Sequence, residues 1–282
     1  MTPARPDLAA EHLRGVVEAQ RYAPGTAHTV TAGSLSLRAA PEEDAPQVSE
    51  LLWGETFVVY ETLEGWAWGQ ASADGYVGYA RESGLARGET QASHIVTTCF
   101  AHLYREPALK SPAAACLPMA SRLALGTQSP CGRYRQLAGE ALWINHRQIV
   151  ALSQRRADPM AVADRFLGTP YLWGGKTAAG LDCSALIQIP LYLAGVEVPR
   201  DSDLQRAAIA GGLGRPVARE AARRGDVAFF PGHVGFIVDR DRLLHANATH
   251  MAVTIDPLED VRDWVARDHP RPFLEIYRLE AR

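Results

Sequence analysis

Residues 181–188, LDCSALIQ, set one cysteine between an aspartate and a serine at the mouth of an apolar run. Upstream, YLWGGKTAAG (171–180) reads as a glycine-rich loop, and downstream IPLYLAG continues one apolar helix face. Pro190 falls inside that helix and is expected to kink it. Two readings of Cys183 are open on these residues. A free cysteine in an apolar helix is commonly a small buried filler. At a helix start it is also suited to be a nucleophile, because free backbone N–H groups, partial positive charge and a nearby imidazole favour the thiolate.

The second reading needs a partner. His233, in PGHVGFIVD, stands at the start of a strand in which Val234, Phe236 and Val238 bury one face. His245, in RLLHANA, lies one strand later and is expected across from His233 in an antiparallel pair, where it would orient the first imidazole. Asn247 lies close enough to share that role. Taken singly, each histidine reads rather as an ordinary strand residue. Zinc is a third reading, but the three side chains lack short ligand spacing.

Outward from this stretch, DPMAVADRFLGTP (158–170) is an amphipathic helix with a Gly-Thr-Pro stop. The segments GDVAFF, HVGFIVD, RLLHANA, AVTID and FLEIYRLE alternate with turns, as in an antiparallel meander. Helices followed by sheet make residues 157–282 an α+β domain. Towards the N-terminus the pattern changes. Residues 7–20 suit a short helix inside a lead-in segment (1–28), and from residue 29 to 88 short apolar runs separated by turn residues predict a small β-barrel. Residues 91–152 repeat that order in a more degenerate copy, WINHRQIVAL matching the closing strand and turn of the first.

Composition bounds the function. The chain has 282 residues, 47% of them hydrophobic, enough for two or three packed domains. With a formal charge of −3 and 22% charged residues it carries no basic excess, so no nucleic-acid or membrane-surface partner is expected. No apolar stretch approaches bilayer-spanning length. The first 22 residues lack the apolar core of a secretory signal, and a cytoplasmic location is expected. The four cysteines (Cys99, Cys116, Cys131, Cys183) show no CxxC pairing, which suits free thiols in a reducing compartment.

FLGTPYLWGGKTAAGLDCSALIQ, PRDSDLQ, RRGDVAFFPGHVGFIVD and LLHANA, in that order, resemble the successive signature blocks of the NlpC/p60 cysteine peptidases. SLSLRAAPEEDAPQVSELLWGE, FVVYE, GWAWGQ and GYVGYARESGL are similar in order to the bacterial SH3-like domain. The resemblance implies a papain-like catalytic domain preceded by two small SH3-like β-barrels. It makes Cys183 the nucleophile, His233 the general base and acid, and His245 the residue orienting His233. Two SH3-like domains ahead of such a domain are similar to the γ-D-glutamyl-L-diamino acid endopeptidases. That subgroup cleaves between γ-D-glutamate and meso-diaminopimelate or L-lysine in peptides with a free N-terminal L-alanine.

Carried over, Tyr171, Asp182, Ser184 and Ser202 match positions that bind the D-glutamyl part, and Tyr171 also steadies the oxyanion. Asp201 matches the position receiving the L-alanine amine; read by itself it serves as well to cap a helix. From the first barrel, Glu55 is a candidate amine ligand and Tyr76 a candidate cleft wall, otherwise a solvated turn residue and barrel packing. The implied partner is a murein tripeptide or tetrapeptide and the implied setting murein-peptide recycling. The implied chemistry requires no metal or organic cofactor. The rival readings are an amidase or acyltransferase on the same core, and a non-catalytic wall-binding protein. An activated thiolate is expected to be alkylated below pH 7, and the residues leave the diamino acid and the oligomeric state open.

Overall fold

The computed structural model describes residues 1–269 and 274–280 and divides into two units, Met1–Gln154 and Arg155–Arg282. The expected helix over residues 7–20 does not form. β1 (Leu8–Ala10) pairs in parallel with β2 (Arg21–Ala23), and only one short turn of 3₁₀ helix, Glu11–Leu13, lies between them. Three consecutive residues, Leu8, Ala9 and Ala10, are fully buried, a burden that one stripe of a short helix does not carry.

The rest of this unit folds the same way twice. In the first copy β3 (Thr26–Val30), β4 (Ser34–Arg38), β5 (Gln47–Leu52), β6 (Thr56–Leu63), β7 (Trp66–Ala71), β8 (Val77–Arg81) and β9 (Leu85–Arg87) form one sheet in the order β5-β4-β8-β7-β6-β3-β9. The sheet curls around Val30, Leu37, Leu51, Phe57 and Val59. In the second copy β10 (His94–Val96), β11 (Phe100–Tyr104) and β12 (Ala113–Pro118) take the places of β3, β4 and β5. The long β6 is replaced by two short pieces, β13 (Arg122–Leu123) and β14 (Leu125–Gln128). β15 (Tyr134–Leu137), β16 (Trp143–Asn145) and β17 (Ile149–Ala151) close the copy around Val96, Leu103, Leu117 and Ile144. The break yields two sheets, β13-β10-β17 and β12-β11-β16-β15-β14, with the pairings of the first barrel preserved. The correspondence of WINHRQIVAL with the first closing strand is kept, each copy placing a 3₁₀ turn between its last two strands.

The second unit is α+β. α1 (Pro159–Ala163) is capped by the Asp158 side chain, which accepts from Met160 N. A two-residue hairpin, β18 (Lys176–Thr177) with β19 (Gly180–Leu181), leads into α2 (Cys183–Leu193), and α3 (Ser202–Ala208) follows. α2 runs on to Leu193 with Pro190 inside it. An antiparallel sheet completes the unit: β20 (Gly214–Val217), β21 (Val227–Phe230), β22 (His233–Asp239), β23 (Arg242–Asn247), β24 (Ala252–Pro257) and β25 (Glu275–Leu279). α4 (Leu258–Asp268) lies between β24 and β25.

The sheet order is β20-β25-β21-β22-β23-β24. The expected meander holds from β21 to β24, but β25 returns to lie between β20 and β21. Of its expected stretch FLEIYRLE, Phe273 lies outside the described residues. α4 was not expected, although Leu258, Val261, Trp264 and Val265 have helical spacing and Glu259 and Asp260 occupy the first turn. Its apolar face packs with Ile237, Leu243 and Ile276. Among the described residues no helix is long and apolar enough to cross a membrane. All four cysteines are free thiols.

Candidate active site

Cys183 is the first residue of α2, and Asp182 is the N-cap, its carboxylate accepting from Ala185 N at 2.9 Å. The same carboxylate accepts from Gly174 N at 3.0 Å and Ser184 Oγ at 3.0 Å, and holds Arg200 bidentately at 2.9 and 2.6 Å. Arg200 Nη1 also donates to Ser184 Oγ at 2.6 Å, and Nη2 to the Gly175 carbonyl at 3.3 Å. Arg200 is 2% exposed, so this fork ties the glycine-rich loop, the start of α2 and the approach to α3 into one buried polar cluster. The loop itself is tight. A Cβ on Gly175 would stand 2.4 Å from the Gly180 carbonyl oxygen.

The histidines come from the sheet. β22 and β23 pair as Phe236↔Leu244 and Ile237↔Leu243, a register that puts Gly235 opposite His245 and makes His233 its diagonal neighbour. The imidazoles still meet, His233 Nε2 lying 2.7 Å from His245 Nδ1. On β24, Thr254 pairs with His245 and Asp256 with Leu243, so Thr254 and Asp256 share the face of His245. His245 Nε2 is 3.0 Å from Asp256 Oδ2, completing a row His233–His245–Asp256 across three consecutive strands. Asn247 does not orient His233; its Nδ2 donates to Thr254 Oγ1 at 2.8 Å and its Oδ1 accepts from His250 N at 2.8 Å. From α4 the Trp264 ring lies parallel to His245, centroids 6.4 Å apart, and meets His250 edge-on.

Cys183, His233 and His245 line one pocket of about 460 Å³ with Tyr171, Trp173 and Trp264. The backbone of Val234, next to His233, favours the Cys183 thiolate, against the larger effect of burial. α2 packs against β22 and β23, which holds the cysteine beside the histidine strand. Burial, and then the Asp182 charge, push the Cys183 thiol up to about 12. Burial, and then His245, press the His233 imidazole down to about 3. Both shifts favour neutral thiol beside neutral imidazole in the unliganded protein. Tyr171 is half-buried, and burial together with Cys183 and Asp182 pushes its phenol well above the usual range, so it remains an O–H donor.

The remaining expected residues are placed as follows. Asp201 is the N-cap of α3, but its side chain makes no capping hydrogen bond, and Ser202 is the first helical residue. Both are half-buried. Glu55 and Tyr76 belong to the first unit. Glu55 is 5% exposed, its carboxylate accepting from Leu52 N at 2.9 Å, so it is a buried turn residue and not a solvated one. Tyr76 packs against the first barrel's core. Two groups went unforeseen, Arg200 and Asp256. Arg200 stands in PRDSDLQ, and Asp256 in AVTID is two residues from Thr254, the period that puts two polar side chains on one strand face.

An α+β unit with a cysteine at a helix start and an imidazole pair on the facing strands has the groups that nucleophilic catalysis by a thiol requires. Residues 168–265 match the model of the NlpC/P60 family, and residues 37–85 that of the bacterial dipeptidyl-peptidase Sh3 domain. The chain carries an NlpC/P60 domain together with a bacterial SH3 domain. Dipeptidyl-peptidase 6 of Lysinibacillus sphaericus is 25% identical over 252 residues, 82% of this chain and 91% of that protein. Gamma-D-glutamyl-L-lysine dipeptidyl-peptidase of Bacillus cereus (strain ATCC 10987 / NRS 248) is 26% identical over 208 residues, 66% of this chain and 60% of that protein. The crystal structure of an NlpC/P60 family protein from Bacillus cereus ATCC 10987 shares the fold with a TM-score of 0.71 at 19% identity, covering 83% of this chain and 94% of that one.

Proposed function

We propose that the chain is a cysteine peptidase that hydrolyses the γ-D-glutamyl-L-diamino acid bond of murein peptides bearing a free N-terminal L-alanine. The observation that carries the reading is the 2.7 Å contact of His233 with His245 in the pocket where Cys183 opens α2. Names of two relatives, a dipeptidyl-peptidase and a γ-D-glutamyl-L-lysine dipeptidyl-peptidase, support the substrate class.

Cys183 gives its proton to His233 as the sulfur attacks the γ-glutamyl carbonyl. The Cys183 backbone N–H and the protonated Tyr171 phenol donate to the developing oxyanion. His233 passes the proton to the leaving amine of the diamino acid, meso-diaminopimelate or L-lysine. Water, activated by His233, then cleaves the thioester and releases L-Ala-γ-D-Glu. Asp182 has both oxygens engaged within the protein, so it serves the D-glutamyl group through the residues it holds, Ser184 among them. Ser202 completes that subsite. Asp201, half-buried at the N-cap of α3, receives the L-alanine ammonium.

The substrate is a tripeptide or tetrapeptide met in the cytoplasm during murein-peptide recycling. The same reading divides the chain into a lead-in (1–28), two SH3-like domains (29–88 and 91–152) and a catalytic domain (157–282), supported by a separate hydrophobic core in each barrel.

The test is incubation with L-Ala-γ-D-Glu-meso-diaminopimelate beside its N-acetylated form. Only the free-amine peptide is expected to be cut, and Cys183→Ala abolishes cutting. Equal cleavage of both peptides would remove the amine recognition and leave the peptidase. Cleavage by Cys183→Ala at the wild-type rate would sink the peptidase mechanism.

A further inference from the structure

The row of side chains does not end at the second histidine, and its far end decides where the protons sit. Asp256 Oδ2 faces His245 Nε2 at 3.0 Å, accepts from the Thr254 hydroxyl, and belongs to a carboxylate whose Oδ1 is 3.3 Å from His250 Nε2. The carboxylate is held below its ordinary range: burial opposes this, but the Thr254 hydrogen bond and the His245 contact outweigh it. Asp256 is therefore an acceptor only.

An unprotonated Nε2 on His245 would set a lone pair against that carboxylate, so Nε2 carries the hydrogen. Asn247 does not reverse this. Its Nδ2 is 3.4 Å from His245 Nε2 but has a better acceptor in Thr254 Oγ1 at 2.8 Å, and its orientation is set by His250 N donating to Oδ1. With Nε2 protonated, Nδ1 of neutral His245 is an acceptor. At 2.7 Å it takes its hydrogen from His233 Nε2. Neutral His233 then has its lone pair on Nδ1, the nitrogen left for the Cys183 proton.

We propose that Asp256 is a positioning residue that sets the tautomers of both histidines, through His245, so that Nδ1 of His233 is the base for Cys183. In the step itself the thiol proton moves from Sγ to His233 Nδ1. The imidazolium keeps its Nε2–H on His245, and nothing is added or lost. The carboxylate at the end of the row offsets the positive charge that the step creates.

The assignment rests on the peptidase reading for its meaning but is tested without substrate. Long-range ¹H–¹⁵N spectra of the histidine side chains in the full chain are expected to show His245 and His233 both protonated at Nε2 and not at Nδ1. A wild-type His245 protonated at Nδ1 overturns the proposal at once, whether or not any variant folds. In Asp256→Ala, His245 is expected to shift towards the Nδ1–H form, and iodoacetamide labelling of Cys183 at neutral pH, followed by peptide mapping, to slow about tenfold or more. Asp256→Asn, whose carbonyl still accepts from Nε2, is expected to retain the tautomer and recover most of the rate. Unchanged tautomer and labelling in Asp256→Ala, or equal losses in both variants, would overturn it. On the murein peptide, Asp256→Ala is expected to lower kcat with KM nearly unchanged. Absence of cleavage by the wild-type protein would count against the proposed substrate and not against these spectra.

Discussion

At the residue scale, Cys183 has the helix N-terminus that favours a thiolate, yet burial outweighs it. The thiol is pushed up to about 12 while the His233 imidazole is pressed down to about 3. A raised thiol value means that the thiolate grows only as pH climbs above neutrality, and a lowered imidazole value means that His233 holds no proton there to pair with it. The labelling expected from sequence therefore reverses. In the unliganded protein, iodoacetamide modification of Cys183 is expected to accelerate continuously from neutral to alkaline pH, and a rate already level below pH 7 would show a resting thiolate–imidazolium pair instead. On the proposed mechanism, proton transfer then belongs to the moment when substrate fills the pocket and excludes water. The motif LDCSALIQ sets Cys183 at a helix start, but its protonation state depends on what buries it.

At the element scale, α2 is anchored by its cap. Asp182 is expected from sequence to touch substrate, but its carboxylate is the centre of a buried cluster joining the loop, the helix start and Arg200. Replacing Arg200 with methionine keeps the volume and leaves that carboxylate without its cation. The expected loss is about 3–5 kcal/mol, typical of breaking a buried ion pair from one side, measured by denaturant unfolding. A loss below about 1 kcal/mol would show that water or another donor replaces the guanidinium. The sheet elements show the same division between local and distant causes. Hairpin strands β21 to β24 follow from alternation and turns, whereas the return of β25 between β20 and β21 depends on pairing across a long stretch of chain.

At the scale of the whole molecule, each of the two units encloses apolar core of its own, among the described residues in each barrel and beneath α4. Units with cores of their own unfold separately unless the contact between them is large and apolar. Calorimetry is expected to resolve two transitions, of which Arg200→Met shifts only one. A single transition displaced as a whole by that substitution would show that the units unfold together. The doubled barrel was legible because its strands are short, local and joined by marked turns. The second copy was less so because its counterpart of β6 is broken into β13 and β14.

The sequence by itself determined the α+β class of the second unit, the barrel repeat, the placing of Cys183 at a helix start and the two histidines on neighbouring strands. Each of these is written in a pattern of a few residues: a period, a cap or a turn. Tertiary structure alone decided that residues 8–10 form a strand and that Asp182 is occupied by Arg200. It also decided that His233 and His245 meet diagonally, and that the row ends on Asp256. Those facts depend on which distant segments pair and in what register, and on how deeply the charges that meet there are withdrawn from water.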